Sequence, residues 1–444
     1  MSQLFGTDGI RGIANQDLTP EFCLRLGRAG GEFFKSRKGQ ILLGRDTRIS
    51  GPMLEGALAA GLASVGVDVQ LMGIVPTPAV ALLVNKTEAA GGAVISASHN
   101  PVPDNGIKYF SPGGYKLTEE EEETIEKLLE SDTLPRPTGT EIGDILPADQ
   151  SLTTQYISEL AHMCPLDLRG YKVVLDCAHG AMYQAAPAIF ARLGADVIPI
   201  HQEPLGDSIN VNCGSTNPEN AAKKVIETGA HMGFCFDGDG DRVIALDEEG
   251  HQVNGDKIMA ILAAYLNEQG RLKNHRLVVT VMSNLGLKLA MEERGIQIVE
   301  TQVGDRNVLK AMEQESAVLG GEQSGHIIHL QDTTTGDGLL TALKVMEVLT
   351  STKKSLNALA QIMRELPQVL VNVKVKDKNM AVQSESVWQA KEKAESELGA
   401  EGRILVRPSG TEPIIRVMVE GRDREKLHRV ANNLTQVIKE APDQ

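Results

Sequence analysis

A strand–helix–strand pattern that occurs three times constrains this chain more than any other feature. Ile41-Leu42-Leu43-Gly44 reads as a buried strand, Pro52 to Val65 as an Ala/Leu-rich helix, Gly66 as its stop and Val67 to Met72 as the next strand. The order returns with Val173-Val174-Leu175, a helix from about Met182 to Leu193, Gly194 and Val197-Ile198-Pro199-Ile200; Pro187 is expected to kink or shorten that helix. It returns again with Leu277-Val278-Val279, a helix from about Leu285 to Arg294, Gly295 and Ile296 to Val299. A helical crossover brings the second strand back in the same direction, so each copy predicts a parallel pair. Three related α/β domains follow.

After Leu366-Pro367 the order changes. Val369 to Val375 alternates as a strand, Ala381 to Leu398 reads as a helix, Arg403 to Val406 and Ile414 to Val419 as strands, and Arg424 to Lys439 as a last helix. This βαββα order predicts a smaller α+β domain with an antiparallel sheet. The proline-rich Leu134 to Gly139 and the turn at Glu249-Gly250 suit boundaries, and 444 residues are too many for one core. The expected division is 1–150, 151–250, 251–366 and 367–444. Between the first two copies, Glu119 to Glu130 reads as an amphipathic helix with Ile125, Leu128 and Leu129 inward and its charges solvated.

Aromatic residues make up only 3% of the chain, so its cores must be aliphatic. A formal charge of −15 argues against a nucleic-acid partner, and an anionic substrate would need a local basic pocket. Cys23, Cys164, Cys177, Cys213 and Cys235 form no CxxC pair and fit a reduced, cytoplasmic setting. Met1 to Asp8 lacks the basic-then-apolar pattern of a secretory leader, and no run of about 18 apolar residues could cross a membrane.

Two stretches carry chemistry. In Phe236-Asp237-Gly238-Asp239-Gly240-Asp241-Arg242 the glycines let the backbone turn tightly, so that three carboxylates can converge. A cage of hard oxygens without His or Cys favours a divalent ion such as magnesium, at about 2.0–2.1 Å per ligand, over zinc. An EF-hand would need Gly where Arg242 stands and a loop where Val243 to Leu246 reads as a strand, although Glu248 does fall at its twelfth position. A merely solvated acidic turn competes, but the apolar strand Met232 to Phe236 runs into the triplet, and strand ends are where α/β proteins place sites. In Ile95-Ser96-Ala97-Ser98-His99-Asn100-Pro101 the strand Gly91 to Ile95 leads to a serine that could be a nucleophile or a phosphate carrier. A polar turn before proline is the plainer reading. Further loops are Gly6 to Gly12 with Arg11, Gly321-Glu322-Gln323-Ser324-Gly325-His326, Val303 to Arg306, Thr333 to Gly338, and Arg407-Pro408-Ser409-Gly410-Thr411-Glu412-Pro413 with Arg416 beyond. The last combines an arginine fork, hydroxyls and a close-approach glycine, as a phosphate cradle does. Asp337 could equally cap a helix beginning near Leu339.

ISASHNP, DGDGDR, GEQSGH and RPSGTEP, in this order and at these separations, resemble the α-D-phosphohexomutase superfamily along essentially the whole chain. FGTDGIRG at 5–12, MSN at 282–284, TTTGDG at 333–338 and the amide at Gln323 are most similar to the bacterial branch that acts on glucosamine phosphates. The gluco- and mannomutases of the superfamily are the alternative. The resemblance implies four domains around a central active-site cleft, a phosphoserine at Ser98, magnesium held by Ser98, Asp237, Asp239 and Asp241, and a sugar 1,6-bisphosphate as activator and intermediate. It implies that Arg11 lies by the phosphoserine, that Glu322, Ser324 and His326 read the sugar, and that Arg407, Ser409, Gly410 and Thr411, joined by Arg416, hold the non-reacting phosphate. Lys108, placed in the turn after Asp104, is the first candidate for general base, its pKa lowered by Arg11 or Arg242; His326 is the second, and His99 is structural or a phosphate contact. The implied product feeds UDP-N-acetylglucosamine synthesis and peptidoglycan precursors. The partner is a small sugar phosphate, with homodimer formation left open. A phosphatase using an aspartate nucleophile would need D-x-D-x-T, which is absent, and a non-catalytic sugar-phosphate sensor would be expected to lack a motif.

Overall fold

Each of the three repeated segments forms its own mixed sheet, on one plan. The computed structural model describes residues 4–6, 8–131, 133–375, 380, 384–399, 402–408 and 414–440. The chain divides into two compact units, Met1–Met282 with Arg294–Ile362, and Ser283–Glu293 with Met363–Gln444.

In the first unit, β1 (Ile10–Ile13), β2 (Ile41–Arg45), β3 (Val69–Ile74), β4 (Gly91–Ile95), β5 (Asp104–Phe110) and β6 (Ile145–Leu146) form a sheet in the order β1-β5-β4-β2-β3-β6. The second sheet, in the order β11-β10-β9-β7-β8, contains β7 (Lys172–Asp176), β8 (Asp196–Ile200), β9 (Met232–Phe236), β10 (Val243–Leu246) and β11 (Gln252–Val253). The third, β13-β12-β14-β15, contains β12 (Arg276–Thr280), β13 (Gln297–Thr301), β14 (Leu319–Gly321) and β15 (Ile327–His329). Each starts from the expected parallel pair, β2 with β3, β7 with β8 and β12 with β13. A third strand, β4, β9 or β14, lies parallel on the other side of the first. The chain then turns back into an antiparallel fourth, β5, β10 or β15. That turn is where Ser98, the aspartate triplet and the Glu322–His326 loop all sit. The three motifs occupy one position of one repeated plan, an equivalence not apparent from their unrelated sequences.

The cores are aliphatic, as the composition requires; the first packs Leu26, Leu43, Leu54, Leu58 and Leu62 with few rings beyond Phe34 and Tyr109. One local expectation is narrowed and one is corrected. The helix Met182–Arg192 runs through Pro187 without being shortened. The carbonyl this proline leaves unpaired, that of Tyr183, accepts instead from Gln202 Nε2 at 3.2 Å. In the helix Glu119–Leu129, capped by the reciprocal Thr118–Glu121 pair, Glu122 is not solvated: it is buried and accepts from Arg306 Nη2 at 2.5 Å.

In the second unit, β16 (Gln368–Lys374), β17 (Gly402–Pro408) and β18 (Ile414–Gly421) form an antiparallel sheet in the order β16-β18-β17. The helix Arg424–Glu440 covers it with Leu427, Val430, Ala431, Leu434 and Ile438, an i, i+3, i+4, i+7 stripe. The helix Leu285–Glu292, read from sequence as the crossover of the third repeat, belongs to this unit: Leu285 N–H donates to buried Glu420 at 2.9 Å, and Asn284 exchanges two hydrogen bonds with Leu366. Among the described residues no helix is long and apolar enough to cross a membrane, and all five cysteines are free and buried.

One buried group sets a pH dependence of stability. Burial, aided by the Lys344 charge, keeps the His329 imidazole neutral, its pKa falling from 6.5 to about 3. Below the ordinary value the unfolded chain takes up this proton and the folded chain does not. Stability is therefore expected to fall as pH drops from about 6 towards 4, with this residue contributing about 1.4 kcal/mol per pH unit. Urea unfolding at several pH values should show that contribution vanish in His329→Gln, and an unchanged slope would refute the assignment.

Candidate active site

Ser98 sits at the turn after β4 with φ +52°, a left-handed conformation that costs a non-glycine residue about 1–2 kcal/mol. Its Oγ donates to Asp237 Oδ2 at 2.6 Å and lies 3.3 Å from His99 Nδ1. The serine loop and the aspartate loop thus meet directly, although 139 residues separate them. Gly238 allows the approach: a Cβ there would lie 2.6 Å from Ser98 O. Burial, together with the positive charges of Arg242 and Arg11, lowers the His99 pKa to about 4, so this imidazole is neutral at pH 7.

Asp237, Asp239 and Asp241 each bring an oxygen within 4.8 Å of the others, and all three are buried. Asp239 Oδ1 and Asp241 Oδ1 have no hydrogen-bond partner. Buried carboxylate oxygens without partners are costly, and three converging on one centre fit a hard divalent cation. Burial and the neighbouring carboxylates push Asp237 well above the usual carboxylate range. Burial opposes ionisation of Asp241 too, but the charges of Lys108, His326 and Arg242 outweigh it and hold that group low.

Lys108 departs from expectation in two ways. It is a β5 residue paired opposite Val94, not a turn residue. Its Nζ lies 3.1 Å from Asp239, 3.1 Å from Asp8 and 3.5 Å from Asp241. Burial pulls its pKa down, but these three carboxylates outweigh burial and raise it, so Lys108 is a buried ammonium and not the lowered base that Arg11 or Arg242 would have made.

A cleft of about 450 Å³ lies over these groups, lined by Arg11, His99, Asp241, Arg242, Glu322 and His326 among others. Arg11 pairs with Asp8 and donates to Asn100 Oδ1 at 2.9 Å. Arg242 N–H donates to Asp237 Oδ1 at 3.1 Å. The Glu322–His326 loop is tied to the aspartate loop by Val243 N–H donating to Gly325 O at 3.2 Å; at Gly325, φ +92°, a Cβ would run into Val243 O. Glu322 accepts from Gly304 N–H at 3.1 Å and from Ser324 Oγ at 3.3 Å. His326 lies with Nδ1 3.7 Å from Asp241 and accepts from Gly336 N–H at Nε2. Burial opposes its protonation, yet Asp241 and Asp305 raise its pKa above the ordinary value. Asp337 caps the helix Gly338–Thr352, accepting from Leu340 N–H.

In the second unit Arg407 and Arg416 stand directly opposite each other on β17 and β18. Burial and the Arg416 charge both lower the Arg407 pKa. Like charges directly opposite each other on neighbouring strands repel. Ser409, Gly410 and Thr411 lie outside the described residues. Sequence reading missed Lys116, which joins Asp8 to Asp305. It also missed Thr77, whose Oγ1 donates to Asp239 at 2.6 Å, and Arg48 and Asn210, which hold the Ser98 main chain. Isolated polar residues carry no periodic signal that could have revealed them.

Family models described as phosphoglucomutase/phosphomannomutase alpha/beta/alpha domains I, II and III and C-terminal domain match residues 2–136, 154–250, 254–366 and 370–437. The chain belongs to this family. Within the family it is 63% identical to a phosphoglucosamine mutase of Natranaerobius thermophilus over 443 residues, 100% of both chains. It is 53% identical to that of Carboxydothermus hydrogenoformans, over 99% of both. The fold of a phosphoglucomutase/phosphomannomutase family protein from Burkholderia thailandensis superposes with TM-score 0.85 at 24% identity, covering 99% of this chain and 98% of that one. An Aspergillus fumigatus N-acetylphosphoglucosamine mutase, solved with GlcNAc-6P and magnesium, gives 0.71 at 18%, covering 99% and 96%.

Proposed function

We propose that this family member interconverts glucosamine 6-phosphate and glucosamine 1-phosphate, with Ser98 carrying the transferred phosphoryl group. The observation that carries the reading is the 2.6 Å contact between Ser98 Oγ and a buried aspartate triad that retains oxygens without a hydrogen bond. Full-length similarity to phosphoglucosamine mutases supports the choice of sugar.

Asp237, Asp239, Asp241 and the Ser98 phosphoryl oxygen would hold a magnesium ion, which supplies neutralisation of the charge spread over the phosphoryl oxygens. The chain's own groups do the rest. The bond from Ser98 Oγ to phosphorus breaks as one forms to the substrate O1, whose proton leaves; the resulting 1,6-bisphosphate turns over, and its 6-phosphoryl group returns to Ser98. Arg11 and Arg242, lining the cleft, attract and orient the anionic sugar. Lys108 enters as a fixed cation beside the triad. His326, in the cleft wall with a raised pKa, is the acid–base group for the sugar hydroxyl. Glu322 and Ser324 read sugar hydroxyl or amino groups. Arg407 and Arg416, with Ser409, Gly410 and Thr411, are assigned to the non-reacting phosphate.

Turnover measured in parallel on glucosamine 6-phosphate, glucose 1-phosphate and mannose 1-phosphate, with magnesium and a trace of the matching bisphosphate, tests the reading. A clear preference for the glucosamine phosphate is expected. Equal or better turnover of the glucose or mannose phosphates would overturn the choice of sugar, and no turnover on any would overturn the reaction.

A further inference from the structure

We infer that Arg48 and Asn210 form a two-sided clamp on the main chain of the Ser98 loop, and that Asn210 makes the geometry of the nucleophile depend on the second sheet. The inference rests on the reading that Ser98 carries the phosphoryl group.

Two carbonyls of the loop are each gripped from both sides. Ser98 O accepts from Arg48 Nη2 at 3.0 Å and from Asn210 Nδ2 at 2.9 Å. Asn100 O accepts from the same two nitrogens at 2.8 and 3.4 Å. Arg48 is completely buried; its Nη1 donates to Pro101 O and Asp104 O at 2.6 and 2.9 Å, and its Nε to Asp46 at 3.0 Å. Asp46 in turn accepts from Ser96 Oγ, and Ser96 Oγ accepts from the Ser98 N–H. The left-handed φ of Ser98 is held at both ends, its N–H by Ser96 Oγ and its carbonyl by Arg48 and Asn210.

Asn210 arrives from the loop after β8. Buried Asp176 ties that loop to the turn after β7, accepting from Gly214 N–H of the loop and from Ala178 N–H of the turn at 2.9 Å each, and Asn210 N–H donates to Ala178 O at 3.0 Å. The same loop grips the aspartate stretch, through Ser215 N–H on Phe236 O at 2.8 Å and through Ile209 packed over Gly238. One loop therefore holds both partners of the Ser98–Asp237 contact. Arg48 is completely buried and Asn210 Nδ2 is taken up by two main-chain carbonyls, so their contribution is to place Ser98. They are positioning residues.

Asn210 itself has φ +62°, so glycine removes its amide without adding strain, and aspartate keeps its shape while presenting an acceptor to the two carbonyls. For Asn210→Gly the expected result is a fall in kcat of about 10–100-fold, the scale of a misplacement near 1 Å, with KM within about threefold. Asn210→Asp should be slower still, although packing is conserved. Wild-type kcat in either variant, or a loss of activity matched by an equal loss of folded protein, would overturn the clamp. Hydrogen exchange of the amides of residues 97–106 gives a readout that needs no substrate. Exchange should accelerate about tenfold or more in Asn210→Gly, following the loss of local protection. Unchanged exchange overturns the clamp even if the wild type turns over no sugar phosphate, an outcome that would separately refute the reaction.

Discussion

Ser98→Ala is expected to reduce turnover of glucosamine 6-phosphate by about 10⁴-fold or more, because removing a covalent carrier leaves only binding and electrostatics behind. The substitution is mild in every other respect. Alanine keeps the Cβ, the carbonyl clamped by Arg48 and Asn210 is untouched, and what disappears is the hydroxyl's hydrogen bonding to Asp237 and His99. Folding should therefore be preserved, and near-wild-type hydrogen exchange in the loop is the control. The wild-type protein incubated with the 1,6-bisphosphate should gain one phosphoryl group by intact mass, and Ser98→Ala should gain none. Turnover within tenfold of wild type, or labelling of the alanine variant, would move the carrier elsewhere.

Loss of the divalent cation should have the second largest effect. The triad places three buried carboxylates together, and Lys108 is shared among Asp239, Asp241 and Asp8. Chelation is expected to bring turnover to background, and added magnesium to restore it. Asp239→Asn should cost about 10³-fold, the equivalent of several kcal/mol of lost charge stabilisation. Binding also has a readout without catalysis. A cation at 100 times its Kd adds about 2.7 kcal/mol to the stability of the folded state, so magnesium should raise the thermal midpoint of the wild type and much less that of Asp239→Asn. An equal rise in both would place the cation outside the triad.

The elements that sequence reading recovered are those whose signal is local. The strand, helix, glycine and strand of each repeat span roughly 30 contiguous residues, and hydrophobic runs with helix stops report them without reference to the rest of the chain. The short βαββα order of the second unit is legible for the same reason. Expectations failed where a distant partner overrode a local rule. Asp104-Asn105-Gly106 has turn composition, yet β5 runs through it because β4 and β1 pair with it on both sides. Pro187 does not shorten its helix, because Gln202 satisfies the carbonyl it exposes. Glu122 lies in an acidic run, yet Arg306 from the third repeat buries it.

The chain's residues alone determined the repeated α/β plan, the convergence of three aspartates through intervening glycines, and the candidacy of Ser98, because each depends on neighbours within a few positions. Tertiary structure decided that the three motif loops occupy equivalent turns, that Ser98 Oγ meets Asp237, and that Lys108 sits among Asp8, Asp239 and Asp241. It also decided that Arg48 and Asn210 grip the same two carbonyls. Those outcomes depend on groups brought together from 50 to 139 residues apart, where the sign of a pKa shift or the use of a single amide is set by folding and leaves no trace in local sequence.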